Sequence, residues 1–139
     1  MKKRLAAITL ALIGLALHPL SEAKEMKVKI TLDNHVRYAT LADNPAAQSL
    51  FAHLPLSLPL KDYAATEKVA YPNFKLNTSR APARHRGRPG DITYYAPWGN
   101  LALFYQSGPE AAGLIYLGRF DSDYQPLLNA GHIKIEAAH

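Results

Sequence analysis

The chain has 139 residues, no cysteine and a formal net charge of +5, which excludes disulfide scaffolds, thiolate metal centres and cysteine nucleophiles. Hydrophobic residues make up 48% of it, enough to fill one core, so the length points to one domain rather than a disordered segment. Part of the charge sits in Lys2, Lys3 and Arg4, and a mild positive balance says little about partners unless it is clustered.

Lys2-Lys3-Arg4 precedes an apolar run from Leu5 to Leu17, the layout of a secretory signal peptide. Ser21-Glu22-Ala23 supplies small residues at the two positions a signal peptidase reads. Cleavage is expected after Ala23, leaving a domain over residues 24–139. The alternative is an uncleaved anchor. The run falls short of the roughly 20 apolar residues a spanning helix needs, and Pro19 ends it. The expected location is periplasmic or secreted, with membrane contact only through the leader before cleavage.

Met26, Val28, Ile30 and Leu32 alternate with Lys27, Lys29 and Thr31, a period of two that predicts a strand with one buried face. Asp33-Asn34 can turn the chain into a partner strand from Val36 to Leu41. Asp43-Asn44-Pro45 is a helix start, a capping side chain followed by proline at the first helical position. Ala46, Ala47, Leu50, Phe51 and Leu54 then recur at helical spacing, predicting a helix from Ala46 to His53 that Pro55 closes. Leu56, Leu58 and Leu60 return to alternation, but Pro59 lacks a ladder donor and marks an edge strand or a bulged one. Lys68 to Tyr71 is a further short strand stopped by Pro72.

From Pro72 to Pro89 the composition turns polar, without apolar period, and reads as a long surface loop. Gly90 to Tyr105 is the densest stretch of aromatic and branched residues, and it reads as a β-hairpin turning at Ala96-Pro97-Trp98-Gly99. Leu101, Leu103 and Tyr105 fall on one face of its second strand, and Ala102 and Phe104 on the other. A strand apolar on both faces belongs inside a sheet. Leu114 to Arg119 predicts another strand, Ser122 to Leu128 a helical turn, and His132 to Glu136 the last strand.

This order, with Asp43-Asn44-Pro45-Ala46-Ala47, Asp62-Tyr63, Glu67-Lys68, Pro89-Gly90-Asp91, Pro97-Trp98-Gly99-Asn100-Leu101 and Gly113-Leu114-Ile115-Tyr116-Leu117-Gly118-Arg119, resembles the bacterial cyclophilin-like fold family. The resemblance implies a mainly β protein, a small closed β-barrel with one main α-helix, in a family whose members mostly have no established activity. By the residues alone a β-grasp fold is the alternative, since a hairpin and then a helix also open it. True cyclophilins isomerise X-Pro bonds with an arginine in a Phe-His-Arg segment and with a Gln-Gly-Gly segment. Neither segment occurs here. Lys68, in the strand that resembles the catalytic one, and Arg86, in the only His-Arg pair, are the candidate donors for a twisted amide. Lysine is the poorer planar donor. Leu103-Phe104-Tyr105 is similar to the stretch that lines the proline pocket of cyclophilins.

Other chemistries find little support. Beyond the expected leader, the histidines at 35, 53, 85, 132 and 139 are not paired at metal-ligand spacing, so no metal is expected. Asp121-Ser122-Asp123 opens like a calcium loop, but Pro126 stands where glycine is needed and His132 where glutamate is. Neither a Gly-x-Ser-x-Gly elbow nor a phosphate-cradling glycine loop is present. Arg86-Gly87-Arg88-Pro89 matches the core of a minor-groove hook, yet an exported chain does not meet DNA, and a solvated cationic loop is the better reading. Tyr95, Trp98, Phe104, Tyr116 and Arg119 are the candidate binding residues, because amphipathic rings and a cation can rim a pocket. The sequence therefore predicts an exported binding module for a peptide or small molecule, or for another exported protein, without cofactor or nucleic acid. The alternative is a prolyl isomerase of low activity.

Overall fold

The computed structural model describes Gly14 and residues 25–139. Apart from Gly14, the expected signal peptide over residues 1–23 lies outside the described residues. The alternating run forms β1 (Met26–Leu32), which turns at Asp33 into β2 (His35–Leu41). Val28, Ile30, Leu32, Ala39 and Leu41 of this pair are buried, as the period of two requires.

Asn44 caps α1 (Pro45–Ala52), its Oδ1 accepting the Ala47 N–H at 2.8 Å. Ala46, Ala47 and Leu50 enter the core, and Phe51 and Leu54 pack against it half-buried. The chain then forms β3 (Leu56–Pro59), β4 (Lys61–Tyr63) and β5 (Glu67–Ala70). β3 is the edge strand that Pro59 predicts. The three-residue β4 was not foreseen, because a segment so short carries no period.

The hairpin is β7 (Asp91–Tyr95) and β8 (Asn100–Phe104), joined by a turn in which the Gly99 N–H donates to Tyr95 O at 2.8 Å. Gly99 takes φ +68° there, a conformation that favours glycine. β10 (Leu114–Phe120), a 3-10 turn (Gln125–Asn129) and β11 (His132–Ala137) complete the chain.

Nine strands form one antiparallel sheet in the order β3-β11-β1-β2-β10-β7-β8-β5-β4. Its two edge strands are separated in sequence only by Leu60, whose N–H donates to Gly131 O at 2.9 Å. The sheet thus curls into a nearly closed barrel, with its edges joined through the chain rather than by a hydrogen-bonded ladder. That refines the expected closed barrel and sets aside the β-grasp alternative. β8 lies between β7 and β5 with every residue buried, as its two apolar faces predict.

Those two faces serve different cores. Leu101 and Leu103 join the main core with β1, β2, α1 and β11. Ala102 and Phe104 join Val69 and Leu114 in a second, smaller cluster on the outer side of the barrel wall. A short ribbon of β6 (Arg84–Arg86) paired with β9 (Glu110–Ala112) lies over this cluster. The polar stretch from 72 to 89 is therefore not simply a surface loop. It carries β6, it buries Leu76, and it stacks Phe74 on His53 with ring centroids 3.9 Å apart. Isolated apolar residues without period give no signal in a sequence, yet each anchors the chain.

Candidate functional site

A cavity of about 200 Å³ opens beside the second cluster. Its position follows from strand parity. Asn100, Ala102 and Phe104 share the outer face of β8, Glu67 and Val69 share that of β5, and Tyr95 ends β7 on the same side. Tyr63 closes one flank and Trp98 projects from the hairpin turn. Trp98 meets Tyr95 and Tyr63 edge-on, at centroid distances of 5.4 and 5.8 Å and interplanar angles of 82° and 83°. Leu114, Ala111 and Pro109 complete the apolar wall.

Two polar groups interrupt this wall. The Asn100 side chain is 2% exposed; its Nδ2 donates to Leu101 O at 3.0 Å, and its Oδ1 has no partner. Glu67 is half-buried, and none of the ion pairs among the described residues involves it. Desolvation, with a smaller contribution from the Asp62 carboxylate, pushes the Glu67 carboxyl up to about 7.

Lys68 belongs to a different cluster. One residue from Glu67, it faces away from the cavity, is buried, and lies 3.7 Å from Asp62. Asp62 also accepts from the Tyr105 hydroxyl and from the Ala65 N–H. The Tyr105 hydroxyl holds the Asp62 carboxyl below its ordinary value, while desolvation and then that same carboxylate push Tyr105 up to about 12.

The remaining candidates gather in a second cavity of about 390 Å³, lined by His85, Arg86, Arg88, Asp91, Tyr116 and Arg119. Asp91, 2% exposed, is its anchor. It accepts from Arg119 Nη1 at 2.8 Å and the Arg88 N–H at 3.0 Å, and lies 3.3 Å from His85 Nε2. Burial, with help from the Asp91 charge, raises the Tyr116 hydroxyl. Tyr116 and Arg119 are three residues apart and would point to opposite faces of a regular strand. A bulge between Tyr116 and Gly118 resets the phase and turns both toward this cleft.

The predicted residues thus divide between two places: Tyr95, Trp98 and Phe104 at the aromatic cavity, and Arg86, Tyr116 and Arg119 at the basic cleft. The sequence reading missed Glu67, Asn100, Tyr63, His85 and Asp91 as lining groups. For Glu67 the signal was its parity with Val69. For Asp91 it was an acidic residue opening a strand buried on both faces. Among the described residues no cluster of histidine and carboxylate side chains is arranged to hold a metal ion.

A family model for the cyclophilin-like family matches residues 30–137, nearly all of the barrel. The chain belongs to the cyclophilin-like family. Its fold is also that of a hypothetical protein from Archaeoglobus fulgidus whose solution structure is known. That protein is similar at a TM-score of 0.61 with 16% identity, over 85% of this chain and 98% of the archaeal one. No curated protein sequence matches the chain significantly. The likeness to the archaeal protein concerns the fold alone.

Proposed function

We propose that this cyclophilin-like chain is an exported binding module that takes a small molecule or a single peptide side chain in the Phe104 cavity, without a cofactor. The observation that carries the reading is the second core. Val69, Ala102, Phe104 and Leu114 are buried outside the barrel interior, where they support an apolar, aromatic-walled hollow that the barrel itself does not need. The hollow, about 200 Å³, is smaller than the roughly 300–1,000 Å³ that drug-sized ligands occupy. The occupant is therefore a side chain or a molecule of fragment size.

The isomerase alternative requires a donor aimed at the twisted amide beside the proline ring. Lys68 is engaged with Asp62, and Arg86 lines the separate basic cleft, which favours binding without catalysis. A coupled proline-peptide isomerisation assay tests this. Background rates support the module, and a rate above background that disappears in Phe104→Ala overturns it. Export rests on the leader-like sequence, and a mature N-terminus at Lys24 in the secreted or periplasmic fraction is the expected result. The partner is a peptide, a small molecule or another exported protein, not nucleic acid. Arg86 and Arg88 line the cleft that holds the buried Asp91, and the glycine between them makes room for Phe104.

A further inference from the structure

The Phe104 cavity has an unusual balance of groups. Four aromatic rings, those of Tyr63, Tyr95, Trp98 and Phe104, line a space of about 200 Å³. Ring faces carry negative electrostatic potential and attract cations. Trp98 stands nearly perpendicular to both tyrosines, meeting each edge to face rather than stacking on it. The only ionisable carboxyl in the lining is Glu67, the one buried polar atom without a partner is the acceptor Asn100 Oδ1, and the lining contains no lysine, arginine or histidine. The nearest cation in sequence, Lys68, is drawn to Asp62. The ring faces, the carboxyl and the unpartnered acceptor all favour a cation, and no cationic side chain of the lining answers them.

We propose that the Phe104 cavity is an organic-ammonium site, in which Tyr63, Tyr95 and Trp98 surround an alkylammonium head, Glu67 is its counter-ion, and Phe104 with Val69 and Leu114 holds its apolar body. The proposal rests on the binding-module reading and names its ligand class: an amine-bearing small molecule, or the ammonium of a peptide. A neutral proline ring would fill the same apolar volume but leave Glu67 either protonated or holding a desolvated, unpaired charge, which is costly. A protonated amine removes that cost. Burial raises the Glu67 carboxyl to about 7, and a bound cation would lower it again.

Trp98 is the only tryptophan of the chain, so its fluorescence reports on this cavity directly. The test titrates the purified protein with benzylammonium and with benzyl alcohol, a neutral molecule of matched shape. The pH is about 8.5, where Glu67 is ionised and the amine still largely protonated. Benzylammonium is expected to bind at least about tenfold tighter than the alcohol. Glu67→Gln should remove most of that difference without weakening the alcohol. Tyr95→Leu, which keeps an apolar wall but deletes a ring, should weaken the ammonium several-fold and serves as an independent variant should Glu67→Gln disturb the fold. Equal affinities for both probes, indifferent to Glu67→Gln, would overturn the ammonium assignment while leaving the module reading intact. No response of Trp98 to either probe would overturn both.

Discussion

A Cβ built on Gly87 would stand 2.4–2.5 Å from three ring carbons of Phe104, so the β6–β9 ribbon reaches the barrel wall only because residue 87 is glycine. Gly108 approaches the same ring from another side, with a virtual Cβ 2.8 Å from Cε1, and its N–H donates to Gly87 O at 3.0 Å. Phe104 is thereby held between two glycines beneath the ribbon. Gly87→Ala must drive the ring toward the neighbouring cavity. The expected cost is ~1–3 kcal/mol, typical of overpacking, together with loss of any ligand response at Trp98. Thermal denaturation of Gly87→Ala, Phe104→Ala and the double variant checks it. The double variant should be no worse than Phe104→Ala alone, and strict additivity would show that the two residues do not compete for one space.

Glu67 makes stability depend on pH in the direction opposite to most carboxylates. Its folded value is raised to about 7, above that of an unfolded glutamate, so between the two values the folded chain binds the extra proton and stability falls as pH rises. The charged and titratable groups around it are Asp62 and Tyr63 on β4, Lys68 on its own strand, and Tyr105 beyond β8. Asp62 acts in the reverse sense. Its folded value is lowered, and its contribution is lost only as pH falls through the acid range. Glu67→Gln is therefore expected to melt with the parent near pH 4 and above it at pH 8. The gain, discounted for solvent screening of a half-exposed group, is on the order of 1 kcal/mol. Melting curves across that window decide it.

Much of the barrel was legible because its strands obey a period of two. β1 alternates cleanly, and the two apolar faces of β8 announced a strand buried on both sides. What those faces could not announce was that the outer one, Ala102 and Phe104, serves a separate core. The cover over it, β6 and β9, is three residues long on each side, too short to show a period. Lys68 illustrates the limit more sharply. Its likeness to a catalytic position came from sequence order, but strand parity sends it to Asp62 and gives the cavity to Glu67 and Val69. The pairing of Tyr116 with Arg119 depended on a bulge, a one-residue change of phase that leaves no trace in composition.

Asp91 holds the basic cleft together. Three donors converge on a carboxylate that is 2% exposed: Arg119, the Arg88 N–H and, at 3.3 Å, the His85 ring. Asp91→Ala leaves the Arg88 N–H and the His85 ring without their acceptor, and a loss of ~2–3 kcal/mol is expected. Arg119→Ala takes one partner from the buried carboxylate but leaves its other two donors in place, and should cost less, ~1–2 kcal/mol. Hydrogen exchange of the Arg84–Arg86 amides should accelerate in Asp91→Ala and change little in Arg119→Ala. Equal effects would mean that the ion pair alone, and not the convergence on Asp91, fixes the segment.

Asn44 joins the helix to the bulge that shapes the same cleft. Its Oδ1 caps α1 through the Ala47 N–H at 2.8 Å, and its Nδ2 donates to Tyr116 O at 2.9 Å. One amide thus satisfies an orphan donor of the helix and an acceptor of β10 at once. Asn44→Ala removes both bonds, and ~2 kcal/mol is expected, about half from each. Asn44→Ser retains a capping oxygen but cannot reach across, so it should cost about 1 kcal/mol. Asn44→Asp keeps the cap but sets a carboxylate against the Tyr116 carbonyl, and it should be worse than serine despite being an equally good cap in isolation. Denaturant melts of the three variants establish the order. An aspartate variant as stable as the parent would show that the bond to Tyr116 contributes nothing and that packing of Ala46, Ala47 and Leu50 docks the helix by itself.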